Sequence, residues 1–282
     1  MIAVVYSGSR FADWKLSEKG EIVSEFKTPG INPFFNDQKS ITSLLNKTNE
    51  LIYHAEEIKR IYFYGAGAFS KSRQKIIEEA FSDFFRYSKV SVEHDLTAVA
   101  IGTGSEQPVI VGIIGSGSNA AFFNGKKIKE NNYGLGFVLG DEGSANWMGR
   151  MLLKDYLTGE LPKKLVSRFD QKYSLDRRQI LDKVYKQSYP VLFLSSFADF
   201  LLEHQKEDYV KKLVTEGFEK YFKTYIIPLT KQHQNLPLHF GGTVAAGFEN
   251  WLCDVSETFG LKISSVVREP IYNVLTYYAS KA

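Results

Sequence analysis

Apolar and polar residues alternate along the chain in two rhythms, one of period two and one of helical period. The run Ile2-Ala3-Val4-Val5-Tyr6 is apolar and rich in β-branched residues, and it stops at Ser7-Gly8-Ser9, which predicts a buried strand entering a tight turn. Asp13–Leu16 predicts a second strand, Glu18-Lys19-Gly20 a turn and Glu21–Lys27 a third strand, together an antiparallel meander. The two prolines of Thr28-Pro29-Gly30-Ile31-Asn32-Pro33 keep the next segment extended as a loop. From Lys39 to Ala55 the positions of Ile41, Leu44, Leu45, Leu51 and Ile52 predict a helix. Arg60–Tyr64 reads as a strand closed by Gly65-Ala66-Gly67. A helix over Ser72–Phe85, a strand at Lys89–Glu93 and a helix opening at Asp95 follow.

The opening pattern then returns. Val109–Ile114 is again a buried strand, and it ends in Gly115-Ser116-Gly117-Ser118. Ala120–Phe123 and Lys126–Lys129 flank Asn124-Gly125, the strongest two-residue hairpin signal. Two copies of strand, small-residue turn and strand, about half the chain apart, predict an internal duplication of fold without sequence repetition. Gly143 to Phe222 reads as mainly helical, and Leu238–Phe240 returns as a strand into Gly241-Gly242-Thr243. A helix over Val244–Phe259, a strand at Leu261–Ile263 and a terminal helix from about Pro270 complete the pattern. Meander strands followed by alternating helix and strand place the chain in the α/β class with layered mixed sheets.

Composition narrows the function. A chain of 282 residues predicts two domains of roughly 100–180 residues. The 35 Lys and Arg against 32 Asp and Glu leave a formal net charge of +3, which gives no electrostatic reason to expect nucleic acid as a partner. The single cysteine, Cys253, excludes an intrachain disulfide framework, a thiolate zinc site and a self-contained four-thiolate iron–sulfur cluster. No apolar run approaches the ~20 residues of a membrane helix. Val191–Leu202 comes nearest and is interrupted by Ser195, Ser196 and Asp199. The apolar N-terminus is short and lacks the basic lead of a signal peptide. The expectation is a cytoplasmic protein that binds neither membrane nor nucleic acid.

Glycine and serine turns after buried strands bring backbone N–H groups together with no side chains in the way, a concavity that attracts phosphate oxygens. Three occur here, at Ser7–Ser9, Gly115–Ser118 and Gly241–Thr243. Any one of them is also an ordinary turn. Asp141 and Glu142 lie between glycines in Gly140-Asp141-Glu142-Gly143-Ser144, where they serve either a ligand or a helix start. Asp95 heads a helix just after a strand. It reads either as an N-terminal cap or as a carboxylate placed to take a proton from a substrate hydroxyl. His94 beside it has no metal-ligand spacing and reads as structural.

The order of these pieces is more specific than any one of them. It resembles the actin-like sugar kinases, and within them the N-acetylglucosamine kinase and BadF-type ATPase family, over essentially the whole chain. The resemblance rests on Gly115-Ser116-Gly117-Ser118-Asn119, Leu139-Gly140-Asp141-Glu142-Gly143-Ser144, Leu238-His239-Phe240-Gly241-Gly242-Thr243-Val244-Ala245 and Gly65-Ala66-Gly67. It implies an α/β fold of two duplicated actin-like (ribonuclease H-like) domains, each around a central mixed sheet, with ATP and sugar meeting in an interdomain cleft. The domains would be residues 1–105 and 106–269, with a terminal helix at about 270–282 packing back on the first. Ser7, Gly8, Ser9, Arg10, Gly115, Ser116, Gly117 and Ser118 would meet the ATP phosphates, and Gly241, Gly242 and Thr243 would pass under the adenosine. Asp95 would be the catalytic base, and Asn32, Asn119 and Asp141 would grip sugar hydroxyls or an acetamido group, a task that suits directional amides and carboxylates. Mg²⁺ and a homodimer are further implications of the family.

The first phosphate loop departs from that pattern. The family places an aspartate at the strand end and Thr-Lys-Thr beyond it; this chain has Tyr6 and Arg10-Phe11-Ala12. An aspartate there supports Mg²⁺, a hard cation that prefers carboxylate oxygens, whereas a phenol of pKa near ~10 is neutral at pH 7. Losing one preorganised electrostatic element typically costs about 10²–10³ in rate. Glu142 and Asp141 are the carboxylates that could help hold a metal. Two readings stay open: an ATP-dependent amino-sugar kinase, and a kinase-like fold that binds sugar or nucleotide and serves as a sensor or partner. Asp95, Asp141 and the later loops favour the first, Tyr6 and Phe11 the second.

Overall fold

The computed structural model of the chain describes residues 1–8, 10–104, 106–129 and 133–281. Among these residues ten strands form two five-stranded sheets, with helices completing an α/β fold. The strands are β1 (Ile2–Ser7), β2 (Phe11–Glu18), β3 (Glu21–Pro29), β4 (Arg60–Gly65), β5 (Lys89–His94), β6 (Pro108–Ile114), β7 (Ser118–Asn124), β8 (Ile128–Lys129), β9 (Leu238–Gly241) and β10 (Ile263–Val267). The first sheet runs β3-β2-β1-β4-β5 and the second β10-β9-β6-β7-β8. Read from its other edge, the second sheet has the order of the first. The duplication inferred from the returning strand–turn pattern is therefore present in the topology.

In both sheets the opening strand is central and pairs in parallel with strands contributed later. β1 pairs in parallel with β4, and β4 with β5, so Ser7, Gly65 and His94 lie side by side at the carboxyl ends. β6 and β10 both pair in parallel with β9, which aligns Ile113, Gly241 and Val267. The carboxyl ends of parallel strands are where open α/β sheets place their ligands.

The chain divides into two compact units. One comprises Met1–Val109, Phe123–Ile128 and Glu269–Ala282, the other Ile110–Phe122 and Lys129–Arg268. In the first, β1 is buried on both faces, which explains its unbroken apolar run. Ala3 and Val5 pack with Trp14, Phe63 and Phe81, while Val4 packs with Ala98, Ile271, Val274 and Leu275 on the opposite face. Trp14 is stacked against Phe26 and Phe81, with centroids 5.8 and 5.6 Å away, and its indole N–H donates to Thr28 at 3.0 Å. The terminal helix Ile271–Ala279 is fixed by Tyr278, which stacks on Tyr62 at 3.6 Å and shares a 2.6 Å hydrogen bond with the Tyr64 hydroxyl. Asn273 donates to the carbonyl of Gly102 at 2.6 Å.

The second unit buries Phe169, Phe197, Phe200, Phe218, Tyr221 and Phe222 among its helices. Helix Ala145–Thr158 meets helix Pro190–Ser195 at Gly149, where a Cβ atom would lie 2.0 Å from the Leu194 carbonyl oxygen. Only a residue without a side chain permits that approach.

Four expectations are corrected. The helix expected over Lys39–Ala55 is two, Gln38–Leu45 and Asn49–His54. Asn46 ends the first by turning its amide onto the Thr42 carbonyl, and the N–H groups of Lys47 and Thr48 make three-residue bonds that tighten the chain. The helix expected over Val244–Phe259 is likewise Thr243–Gly247 and Glu249–Thr258, broken at Phe248, whose buried ring stacks on Trp251. The strand expected at Leu261–Ile263 runs instead over Ile263–Val267, because Gly260 in a left-handed conformation and the bond from Leu261 N–H to the Ser256 carbonyl still belong to the helix end. In the hairpin, β8 is only Ile128–Lys129, since Asn124 Oδ1 accepts from the N–H groups of both Lys126 and Lys127 and holds them in the turn.

Gly149→Ala should destabilise the protein by about 1–3 kcal/mol or more through overpacking against the Leu194 backbone, read as a fall in the urea midpoint of unfolding. An unchanged midpoint would mean that the two helices do not approach so closely.

Candidate active site

In the first unit the site begins at the carboxyl ends of β1, β4 and β5. Asp95 is the first residue of helix Asp95–Gly102, directly after His94 ends β5. Its Oδ1 accepts from the N–H of Leu96 at 2.9 Å and lies 2.8 Å from Nδ1 of His94. Its side chain is 14% exposed, enclosed yet within reach of a ligand. The N-terminal cap of this helix is His94 and not Asp95, which is its first residue; Oδ1 is engaged at the helix start, and Oδ2 has no partner among the described residues.

Tyr6 stands where the family pattern has an acid. It is opposite Asp13 in the β1–β2 ladder, so the two side chains share a face of the sheet. Burial first, and then the charges of Asp95 and Asp13, push its phenol well above the ordinary tyrosine value. A neutral hydroxyl between two carboxylates is the result. Asp13 also pairs with Lys27 at 3.2 Å. Among the described residues no three His, Cys, Asp or Glu side chains come together as a metal-binding group.

In the first expected phosphate loop Ser7 and Gly8 already have partners. The Ser7 hydroxyl is fully buried, donating to the Ile31 carbonyl at 2.9 Å and accepting from the Ile31 N–H at 2.8 Å. The N–H of Gly8 donates to Phe11. Arg10 is exposed, with its guanidinium 5.0 Å from the Phe11 ring centroid. Ser9 lies outside the described residues. What Ser7 does is pin the loop that carries Asn32. There Asn32 Oδ1 accepts from Phe34 N–H at 2.9 Å, and its own N–H donates to Asn36 at 2.8 Å. The Asn32 amide nitrogen donates to no described residue, which leaves it as a donor for a ligand.

The second unit carries the two later glycine turns, and they touch. Gly242 has φ +113°, and a Cβ built there would lie 2.4 Å from the Ile114 carbonyl oxygen and 3.2 Å from the Gly115 nitrogen. Only glycine allows the turn after β9 to lie on the turn after β6. Gly241 is buried against this junction and Thr243 is exposed beside it. The Gly115–Ser118 loop is braced from below. Asp141, at φ +59° and 8% exposed, accepts from Ser118 N–H at 3.1 Å and from the Asn146 amide at 2.8 Å. Burial raises its pKa above the ordinary aspartate value, and these two donors pull it back. Asn146 donates to the Ser116 carbonyl as well, at 2.7 Å. The first N–H groups of helix Ala145–Thr158 reach the carbonyls of Gly115 and Ser116, so the helix end grips the loop.

Glu142 accepts a short hydrogen bond from the Tyr225 hydroxyl, while its backbone carbonyl takes the Ser118 hydroxyl at 2.7 Å. Tyr225 lies in a π-helical turn, Phe222–Ile226, and Tyr221 just before it donates to the Asn119 carbonyl at 2.8 Å. Asn119 Oδ1 accepts from Ala120 N–H. Asn146, Tyr221 and Tyr225 were missed from the sequence. A polar residue two places into a helix carries no periodic signal, and the extra residue of a π turn is invisible to a 3.6-residue rhythm.

No family model matches the chain, and no curated protein sequence does. Among solved structures, a candidate N-acetylglucosamine kinase from Porphyromonas gingivalis is 32% identical, with a TM-score of 0.92 over 99% of both chains. A second such candidate from Chromobacterium violaceum has 15% identity and a TM-score of 0.69 over 99% of both chains. A ROK family glucokinase from Streptomyces griseus, crystallised with glucose and AMPPNP, has 14% identity and a TM-score of 0.55 over 100% of this chain and 99% of its own. These last two speak for the fold alone. The first, with its identity spread along the whole chain, places this protein in the N-acetylglucosamine kinase-like family of the actin-like superfamily.

Proposed function

We propose that this protein is an ATP-dependent sugar kinase whose acceptor is an amino sugar of the N-acetylglucosamine type. One observation carries the reading. A largely enclosed carboxylate, Asp95, and a braced Gly-Ser loop with a second glycine turn laid on it occupy the carboxyl ends of two sheets of the same strand order. Kinship with a candidate N-acetylglucosamine kinase supports the acceptor class, and AMPPNP in the glucokinase supports the donor.

In this reading ATP supplies the phosphoryl group. Gly115–Ser118 would receive its phosphates, with the loop's shape maintained by Asp141 and Asn146, and Gly241–Thr243 would carry the adenosine. Asn32 would offer its amide N–H groups, and Asn119 its own, to sugar hydroxyls or to the carbonyl of an acetamido group. Asp95 would accept the proton of the sugar hydroxyl as that oxygen bonds to the γ-phosphorus and the bond from phosphorus to the bridging oxygen breaks. Metal chemistry is not assigned to any residue.

A second reading is favoured by Tyr6. A phenol held neutral beside Asp95 and Asp13 removes a charge the family places there, and the chain would then bind sugar or nucleotide without efficient transfer. An ADP-release assay with a panel of hexoses and hexosamines separates the two, since only the first reading expects turnover that depends on the sugar.

Three outcomes are expected. Asp95→Asn should lower kcat by about 10²–10⁴, the usual worth of a positioned base, with circular dichroism unchanged; undiminished turnover would remove Asp95 from the role. N-acetylglucosamine at millimolar concentration should give heat in calorimetry and raise the melting temperature, and Asn32→Ala should weaken both. Silence in both measurements would count against the amino sugar. Tyr6→Asp should increase the rate in the presence of Mg²⁺ by restoring a carboxylate at the strand end, and a fall in rate would show that the phenol is itself useful.

A further inference from the structure

Of the two adjacent acids in the second unit, Glu142 is the one with an oxygen to spare. Asp141 is 8% exposed, and each of its oxygens already has a donor, Ser118 N–H on Oδ1 and the Asn146 amide on Oδ2. Glu142 is half-buried. Its Oε2 accepts from the Tyr225 hydroxyl, and its Oε1 has no partner among the described residues. The direction of that bond is fixed, because a carboxylate only accepts and the phenol is the donor. Burial first, and then this bond to Glu142, hold the Tyr225 phenol above the ordinary tyrosine value, so it keeps its proton. The ring itself is buried, with Tyr133 edge-on at 5.5 Å between centroids. Gly140 makes room for it: a Cβ there would stand 3.0 Å from the phenol oxygen. Four residues earlier Tyr221 donates to the Asn119 carbonyl at 2.8 Å, and the two tyrosine rings lie 4.9 Å apart. The Ser118 hydroxyl donates to the Glu142 carbonyl at 2.7 Å, so Glu142 is joined directly to the end of the Gly-Ser loop.

We propose that Glu142 binds the amino sugar: its Oε1 accepts from a hydroxyl or the acetamido N–H of the substrate, and the Tyr225 hydroxyl, by holding Oε2, positions the carboxylate for that contact. This rests on the amino-sugar reading above and deepens it. The chemistry of the free oxygen chooses the ligand. It takes donors only; phosphate oxygens bring like charge, whereas a sugar offers hydroxyls around its ring and an acetamido group adds an N–H. Asn119, proposed above to donate to the sugar, and Glu142 as acceptor supply the two halves that a hydroxyl or an acetamide needs. π turns inside helices are frequent at functional sites, and this one carries the tyrosine that holds Glu142.

The test is calorimetric titration of the full chain with N-acetylglucosamine and, separately, with AMPPNP and Mg²⁺. In Glu142→Gln the side-chain carbonyl must stay on the Tyr225 hydroxyl, which puts an NH₂ where Oε1 was and sets a donor against a donor. Its Kd for the sugar should rise by about 10–10²-fold, while that for AMPPNP stays within about twofold. Tyr225→Phe should raise the sugar Kd by about 3–10-fold in the natural chain and by less than about twofold when Glu142 is already Ala, because the hydroxyl acts through that carboxylate. Equal losses in both backgrounds would make the hydroxyl merely structural and overturn its positioning role. A rise in the AMPPNP Kd with sugar affinity intact would put Glu142 on the nucleotide side and overturn the proposal. Analogues each lacking one hydroxyl or the acetamido group locate the contact: one of them should bind the natural chain and Glu142→Gln equally. If Glu142→Gln weakens every analogue as much as the parent sugar, no such contact exists. The two claims fail differently. No heat from the natural chain with the sugar removes the amino-sugar reading and this inference with it; heat that Glu142→Gln leaves undiminished removes only the role of Glu142.

Discussion

A buried carboxylate organises the second unit. Asp141 is pulled from water and held in a left-handed backbone conformation, both of them costs that the structure offsets with donors from two directions. Ser118 N–H ties it to the loop after β6, and the Asn146 amide ties it to the helix that follows. The loop's carbonyls then meet that helix's first N–H groups, and the turn after β9 lies directly on the loop at Gly242. Loop and helix start are thus hydrogen-bonded together, and the second turn packs on them. A loop held this way keeps its shape before any ligand arrives, and an electrostatic site needs that to act at the moment of reaction.

The first unit is organised by different means. Its strand-end loop is pinned by an uncharged group, the Ser7 hydroxyl, and the hydroxyl of Tyr6 is neutral. Charge is supplied by Asp95 and Asp13 instead. The two units share strand order without sharing chemistry: one presents backbone turns, the other a carboxylate and an amide. The proposed function uses that division, with a polyanion at the turns and a polyol at the carboxylate and amide, so a duplicated fold need not carry duplicated sites.

Much of this was legible in the amino-acid sequence, for reasons that differ by feature. Ile2–Tyr6 and Val109–Ile114 announced the two central strands because both faces of each are buried and no polar residue interrupts them. Asp95 and the glycine turns were visible as residue types at strand ends. Helix breaks at Asn46 and Phe248 were not, because each depends on a local hydrogen bond or an aromatic stack that periodicity averages away. The commitment of Ser7 to Ile31, twenty-four residues on, was equally hidden, since a serine in a glycine turn looks the same whether it faces ligand or loop. Asn146 and Tyr225 act through long-range contacts, which one sequence does not encode as a local pattern.

The π turn at Phe222–Ile226 has a developmental consequence for the helix that contains it. It holds one residue more than a regular turn, and each residue of an α-helix advances the side chains by about 100°. Excising that residue would improve the backbone geometry and wind the distal segment, Ile227–Gln232, round by roughly a quarter of a revolution or more. Leu229 would leave the interior while its polar neighbours swung toward it. The irregularity is therefore a phase correction: with it Tyr221 before the turn and Tyr225 within it both address the loop, and downstream Leu229 keeps its buried seat.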